Sequence, residues 1–341
     1  MGHGPYPSDS KSGRPYLLLD YVDSEKGTML SDPLKNYWHT DPEGLQNLLR
    51  GISRIMISLA SKAQPRIGSL RFNNDGSIAL ANRPLFCANT ILESEGAPKI
   101  VSATHPTDGS FIDDMLRFRK EAFRAQPNDV NDKEDCHLQM LHMILLRDMK
   151  SLFVDRLSQG PFIRQLTDLH ASNIFVDSQW NVVALIDLES VCALPPSMLS
   201  MPHWLLVDAI DEVIDKIDAF NRLHELFIDI LRDEEKHLNH GANSVASAVE
   251  TAWGDRSHWF YRCFTTVNGI PCCVEDHLYE KLGLRLLPAE EARLAREMSS
   301  RWSTDSKGFV TKKLRDKAKY DIDLARHFDK QAGAKDGKVK Y

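Results

Sequence analysis

Apolar positions recur along this chain with two periods, and the switches between them mark its elements. After Thr40 the spacing is helical: Leu45, Leu48, Leu49, Ile52, Ile55, Met56 and Leu59 follow at mostly three- and four-residue steps. Thr40 and Glu43 have capping-box spacing, and Pro42 sits in the first turn. A second long helix is expected from about Lys133 to Gln159, with Leu138, Leu141, Ile144, Leu145, Met149, Leu152 and Phe153 on its apolar side and Gly160-Pro161 as the stop. Shorter helices are expected at Phe111 to Phe123, in an otherwise looped stretch from Asn89 to Asn131, and at Ser244 to Trp253. Trp204 to His237 reads as a long helical region and Glu290 to Trp302 as a charged helix.

Strand-like runs are fewer. Tyr16 to Val22 (YLLLDYV) is an apolar run of strand length, expected to be buried on both faces. Ile67 to Asn82 holds two short runs around Asn74-Asp75-Gly76, the chemistry of a tight hairpin. Asn173 to Asp177 and Val182 to Ile186 form a second pair about a turn. Ala193 to Leu205 carries three prolines, which forbid a regular helix and favour an ordered extended loop. The fold class that follows is α+β, mostly helical.

Composition narrows the picture. At 341 residues and 42% hydrophobic the chain can bury a sizeable core. The net charge of -6 gives no bias towards nucleic acid or anionic membrane. The charge is uneven: from Thr304 onward 11 Lys/Arg stand against 6 Asp/Glu, so residues 304–341 form a basic tail behind an acidic body. Residues 1–13 are rich in Gly, Pro and Ser and read as a flexible lead-in. With no apolar leader and no run approaching the roughly 18 to 20 residues that span a bilayer, a soluble cytoplasmic protein is expected. The 6 cysteines lack CxxC spacing and read as reduced thiols, Cys272 and Cys273 beside His277 included.

The chemistry concentrates in Leu166 to Glu189, LTDLHASNIFVDSQWNVVALIDLE. Phosphoryl transfer to a hydroxyl needs a carboxylate to orient that hydroxyl and accept its proton, and oxygen ligands to hold magnesium on the nucleotide phosphates. Asp168 suits the first role; Asn173, at the far end of the same loop, and Asp187, at the end of the returning strand, suit the second. Taken singly, each is also a residue type that caps loops and turns. Their order around a hairpin is what points to phosphoryl transfer. His170 reads as a hydrogen-bonding brace of the loop, and Glu189 as either a metal contact or a solvent-facing acid. A glycine-rich phosphate loop is excluded around Gly68 and Gly76, which lie too far apart.

LTDLHASNIFVD followed by ALIDLE resembles the catalytic loop and metal-binding strand of the aminoglycoside phosphotransferase family, in particular its fungal-type branch, within the protein-kinase-like superfamily. The resemblance implies Asp168 as catalytic base, Asn173 and Asp187 as magnesium ligands, and ATP and Mg2+ as cofactors. YLLLDYV resembles the hinge that holds adenine, which implies Asp20, Tyr21 and Val22 beside the nucleotide. Leu166 departs from the histidine that many members carry two residues before the catalytic aspartate. The resemblance covers residues 16 to 290, a kinase-like C-lobe, with only residues 1–15 before the hinge and the N-lobe with its phosphate-binding lysine largely absent. The expected organisation is a flexible lead-in over 1–15, a hinge plus C-lobe over 16–303 and a basic tail over 304–341. The expected activity is ATP- and Mg-dependent O-phosphotransfer to a small hydroxylated molecule, with a catalytically impaired pseudokinase or binding module as the alternative. A partner chain supplying the N-lobe is one route to a complete site.

Overall fold

The computed structural model describes residues 21–31, 41–100, 103–154, 159–238 and 244–336. Its architecture is α+β and mostly helical, with two small antiparallel sheets held against the helices.

Helix α1 (Pro42–Ala60) is the first long element, and Leu48, Leu49 and Ile52 on one face of it are fully buried. Its N-cap is Asp41, whose carboxylate accepts from the Gly44 N–H at 2.8 Å, and not the expected Thr40, which lies outside the described residues. The hairpin of β2 (Gly68–Phe72) and β3 (Ile78–Asn82) forms as its Asn-Asp-Gly turn requires, with Gly76 at φ 81. An unexpected helix, α2 (Cys87–Ser94), precedes α3 (Asp108–Ala125), which is the helix expected at Phe111 to Phe123, longer at both ends and with Thr107 and Ser110 as a capping box. Helix α4 (Lys133–Phe153) ends six residues before Gln159, its expected last residue.

The central stretch contributes four strands, two of them unannounced by periodicity: β4 (Ile163–Leu166), β5 (Ile174–Val176), β6 (Val182–Leu185) and β7 (Val191–Leu194). β1 (Thr28–Met29), β5 and β6 make one sheet, and β3, β2, β7 and β4 make the other. β4 and β7 pair antiparallel, from Ile163 opposite Leu194 to Leu166 opposite Val191. The β5–β6 hairpin between them therefore leaves the second sheet and returns to it. α1 packs on β4, β6 and α5 (Ile217–His237), and its Gly51 lets Val182 approach to where a Cβ would lie 2.6 Å from a Val182 methyl. The expected helix over Trp204 to His237 is regular only from Ile217, after turns of 3-10 helix at His203–Leu205 and Ile210–Lys216.

Helices α6 (Val245–Gly254) and α7 (Ser257–Thr265) complete the core, and a π-helical turn over Cys273–Leu278 leads towards α8 (Pro288–Met298) on α4. The basic tail, whose alternating charges suggest a solvated helix or disorder, is the helix α9 (Ser306–Asp336), and it is not wholly solvated. Val310 is buried and Lys313 is 2% exposed, its ammonium donating to the carbonyls of Phe123 and Gln126 at the end of α3. A cation there satisfies carbonyls that a helix C-terminus leaves open. Further along α9, Ile322, Leu324 and Phe328 are exposed. Among the described residues no helix is long and apolar enough to cross a membrane.

Candidate functional site

The site is built where the two sheets meet. β4 delivers the chain to Thr167, whose N–H donates to the Ser190 carbonyl at 3.1 Å and whose hydroxyl lies 2.6 Å from the Leu85 carbonyl and 2.8 Å from that of Ser190. The start of the loop is thus tied to the end of the segment that carries Asp187. Asp168 follows, its side chain 29% exposed, with His170 Nε2 at 3.2 Å from Oδ1. Sequence reasoning expected His170 to brace this loop, and the structure sets its ring against the Asp168 carboxylate.

A turn of 3-10 helix (Ala171–Asn173) brings Asn173 back beneath Asp168, where its Nδ2 donates to the Asp168 carbonyl at 3.1 Å. That bond uses the N–H end of the amide and leaves Oδ1 as the group open to a cation. The Asn173 carbonyl in turn accepts from the Ile186 N–H at 3.0 Å, which fixes the end of β6 against the loop. The next residue, Asp187, is exposed and left-handed, at φ 55 and ψ 54, a region that Asp enters more readily than most residues. Asp168, Asn173 and Asp187 are therefore linked through two hydrogen bonds and one peptide step. Glu189 is exposed one turn further on.

The hairpin that makes this return is held by its own turn. Asp177 Oδ1 accepts from the N–H groups of Gln179 and Asn181, Trp180 is left-handed and buried, and Asn47 on α1 donates to the Gln179 carbonyl at 3.0 Å.

Beside Asp168 lies a cavity of about 120 Å3, lined on one side by Ile55, Met56 and Leu59 of α1 and on the other by His203, Trp204 and Arg262. Trp204 Nε1 donates to the Leu169 carbonyl at 2.6 Å, so the indole pins the loop between Asp168 and His170. Burial, reinforced by the Arg262 and His170 charges, holds His203 down at about 3, so the cavity wall presents a neutral imidazole. Cys87, at the start of α2, has its thiol pushed up by burial and then by the Asp168 charge. The sequence reading did not single out Trp204, His203, Arg262 or Cys87. The one available signal was the aromatic residue closing the proline-rich segment.

The hinge expectation fares differently. Asp20 lies outside the described residues, and Tyr21 and Val22 are in irregular backbone, not in a strand, with Tyr21 86% exposed.

One further group of ligand-type side chains converges among the described residues: His142, Glu275 and Glu291, with ligand atoms within 4.8 Å of one another. Here His142 Nε2 lies 3.3 Å from Glu275 and 3.2 Å from the Tyr279 hydroxyl, which donates to Glu291 at 2.5 Å. The buried His142 Nδ1 has no partner, whereas a metal-bound imidazole normally donates its second N–H. The arrangement reads as proton sharing. Cys272, Cys273 and His277 form no such group; Cys273 is buried and His277 stacks on Trp259 with centroids 3.5 Å apart. All six cysteines are free.

No family model, no curated protein and no solved structure matches this chain.

Proposed function

We propose that this chain is a kinase-like O-phosphotransferase that uses ATP and Mg2+ on a small hydroxylated acceptor. The observation that carries the reading is the linkage of Asp168, Asn173 and the segment entering Asp187 by hydrogen bonds of 3.1 and 3.0 Å, which ties three residues with hard oxygen side chains to one loop. Hard oxygen donors of mixed charge fit magnesium. Asn173 Oδ1 and Asp187 would hold the ion; magnesium-bound ATP would supply the phosphoryl group and neutralise charge developing on it. Asp168 orients the acceptor hydroxyl and accepts its proton, with His170 fixing the direction of the carboxylate. Trp204 holds the loop backbone so that the carboxylate does not wander, since positioning carries most of this reaction. The left-handed Asp187 supports the same reading, because such backbone clusters at functional positions.

A second reading, a binding module that keeps the fold without turnover, is favoured by two observations. The cavity beside Asp168 is about 120 Å3, below the roughly 300 Å3 at which small-molecule pockets begin. Tyr21 is exposed and not packed as a hinge.

Asp168→Asn decides between them. With ATP, Mg2+ and a panel of sugars, cyclitols and choline-like alcohols, the variant should lose about 100-fold or more in phosphate transfer while melting like the parent. Transfer that is unchanged in the variant, or absent in the parent, leaves the binding module.

A further inference from the structure

A second cavity, of about 610 Å3, lies between α3, α4 and the segment after α7. That volume falls within the range of small-molecule sites. α2 bridges the two regions: Cys87 at its start feels the Asp168 charge, while Leu92 near its end lines this cavity. The larger cavity shares no lining residue with the cavity beside Asp168.

Its chemistry is bipolar. Arg119 is 3% exposed and lines the wall. Its two terminal nitrogens donate to backbone carbonyls, Nη1 to Val267 at 3.0 Å and Nη2 to Thr266, while the buried Nε has no partner. Burial lowers Arg119 only to about 10, so it is a cation at neutral pH. Among the described residues no carboxylate lies within ion-pair distance of it. A desolvated guanidinium with neutral acceptors and a spare N–H is costly until an anion compensates it.

Two carboxylates stand on the same lining, Glu95 and Asp129. Glu95 Oε2 accepts from Gln126 at 2.6 Å, and burial pushes Asp129 up to about 6, with Lys313 4.0 Å away. A purely anionic ligand would meet these acids, and a purely cationic one would leave Arg119 uncompensated. Leu92, Met143 and Ile270 supply an apolar wall.

We propose that this cavity binds a small zwitterion of the α-amino acid class with an apolar side chain, its carboxylate on the Arg119 side and its ammonium on the Asp129 and Glu95 side. The two ends of one ligand then answer two groups of opposite charge that feel each other's field without being in ion-pair contact. The site needs neither ATP nor magnesium.

The test is calorimetric titration of the full chain, without nucleotide, using L-leucine, L-methionine and L-phenylalanine singly. Each is compared with its half-charged analogues, which for leucine are 4-methylpentanoate and isopentylamine. At least one amino acid should bind saturably, with each analogue weaker by about tenfold or more. Because Arg119 also ties down the 266–267 carbonyls, Asp129→Asn is the variant that reads the ligand, with its melting temperature checked against the parent because Lys313 lies 4.0 Å from Asp129. It should weaken amino acid binding by about tenfold and leave 4-methylpentanoate unchanged. Asn128→Trp, at the exposed rim, should block all three amino acids. No saturable binding at about 10 mM, binding of 4-methylpentanoate as tight as that of leucine, or an indifferent Asp129→Asn would each overturn the proposal. Since no arm uses phosphate transfer, its failure and that of the phosphotransferase reading are told apart.

Discussion

Asn173 donates its side-chain amide to the carbonyl of Asp168 at 3.1 Å, so the proposed base and the proposed metal ligand belong to one closed loop and do not move independently. A change in either should disturb the other. The same residue's carbonyl holds the Ile186 N–H, which extends the closure to Asp187.

Metal-dependent nucleotide binding should pass through Asp187. ATP with Mg2+ should raise the melting temperature of the parent, and in Asp187→Ala the rise should shrink to that given by ATP without magnesium. Differential scanning fluorimetry at a series of nucleotide concentrations measures this. An equal rise in both chains would remove Asp187 from the metal site.

Trp204 is expected to act on the loop through its backbone. Trp204→Phe keeps the ring in the cavity wall but removes the 2.6 Å hydrogen bond to the Leu169 carbonyl. The loss should be about 1 kcal/mol of stability, with a larger proportional drop in kcat than in KM if the loop orients Asp168. Faster amide exchange confined to residues 167–173 would accompany it.

The docking of the tail can be read from Lys313. Lys313→Met preserves the aliphatic stem but leaves the Phe123 and Gln126 carbonyls unmatched in a buried setting. A destabilisation of about 1 to 3 kcal/mol is expected in urea unfolding. A substitution as mild as those on a solvated helix, within about 0.5 kcal/mol, would mean that the tail does not dock.

Glu275 gives the protein a pH dependence of defined sign. Burial first, then the Glu291 and Asp276 charges, raise its carboxyl to about 7. The folded state keeps this proton where the unfolded chain has released it, so stability falls as pH rises from about 4.3 through about 7. With the side chain 36% exposed, water screens the effect to the order of 1 kcal/mol. His142 acts in the opposite sense, because burial lowers it to about 3 and stability is lost as pH falls below about 6.5. Glu275→Gln retains His142, so the difference between the two stability curves reads the carboxyl together with its 3.3 Å contact to His142. The parent should lose ground to the variant between about pH 4.3 and about pH 7, and parallel curves would refute the assignment.

The helices α1 and α4 and both hairpins, though not the tail helix α9, were legible in the sequence, because each depends on local periodicity or a turn: Leu48, Leu49 and Ile52 repeat on one face of α1, and Asn74-Asp75-Gly76 closes β2 on β3. The order of Asp168, Asn173 and Asp187 was likewise written there, along with the brace provided by His170. β4 and β7 were not, because Arg164 and Gln165 break the apolar pattern of a strand whose partner lies some 25 residues away, and only pairing across that distance defines it. Nor did Lys313 reveal itself among the charges of the tail, since its burial depends on carbonyls nearly 190 residues earlier. Local sequence determined which residues repeat and which could carry chemistry. Tertiary structure decided which of them meet, because hydrogen bonds and burial between distant segments have no period to read.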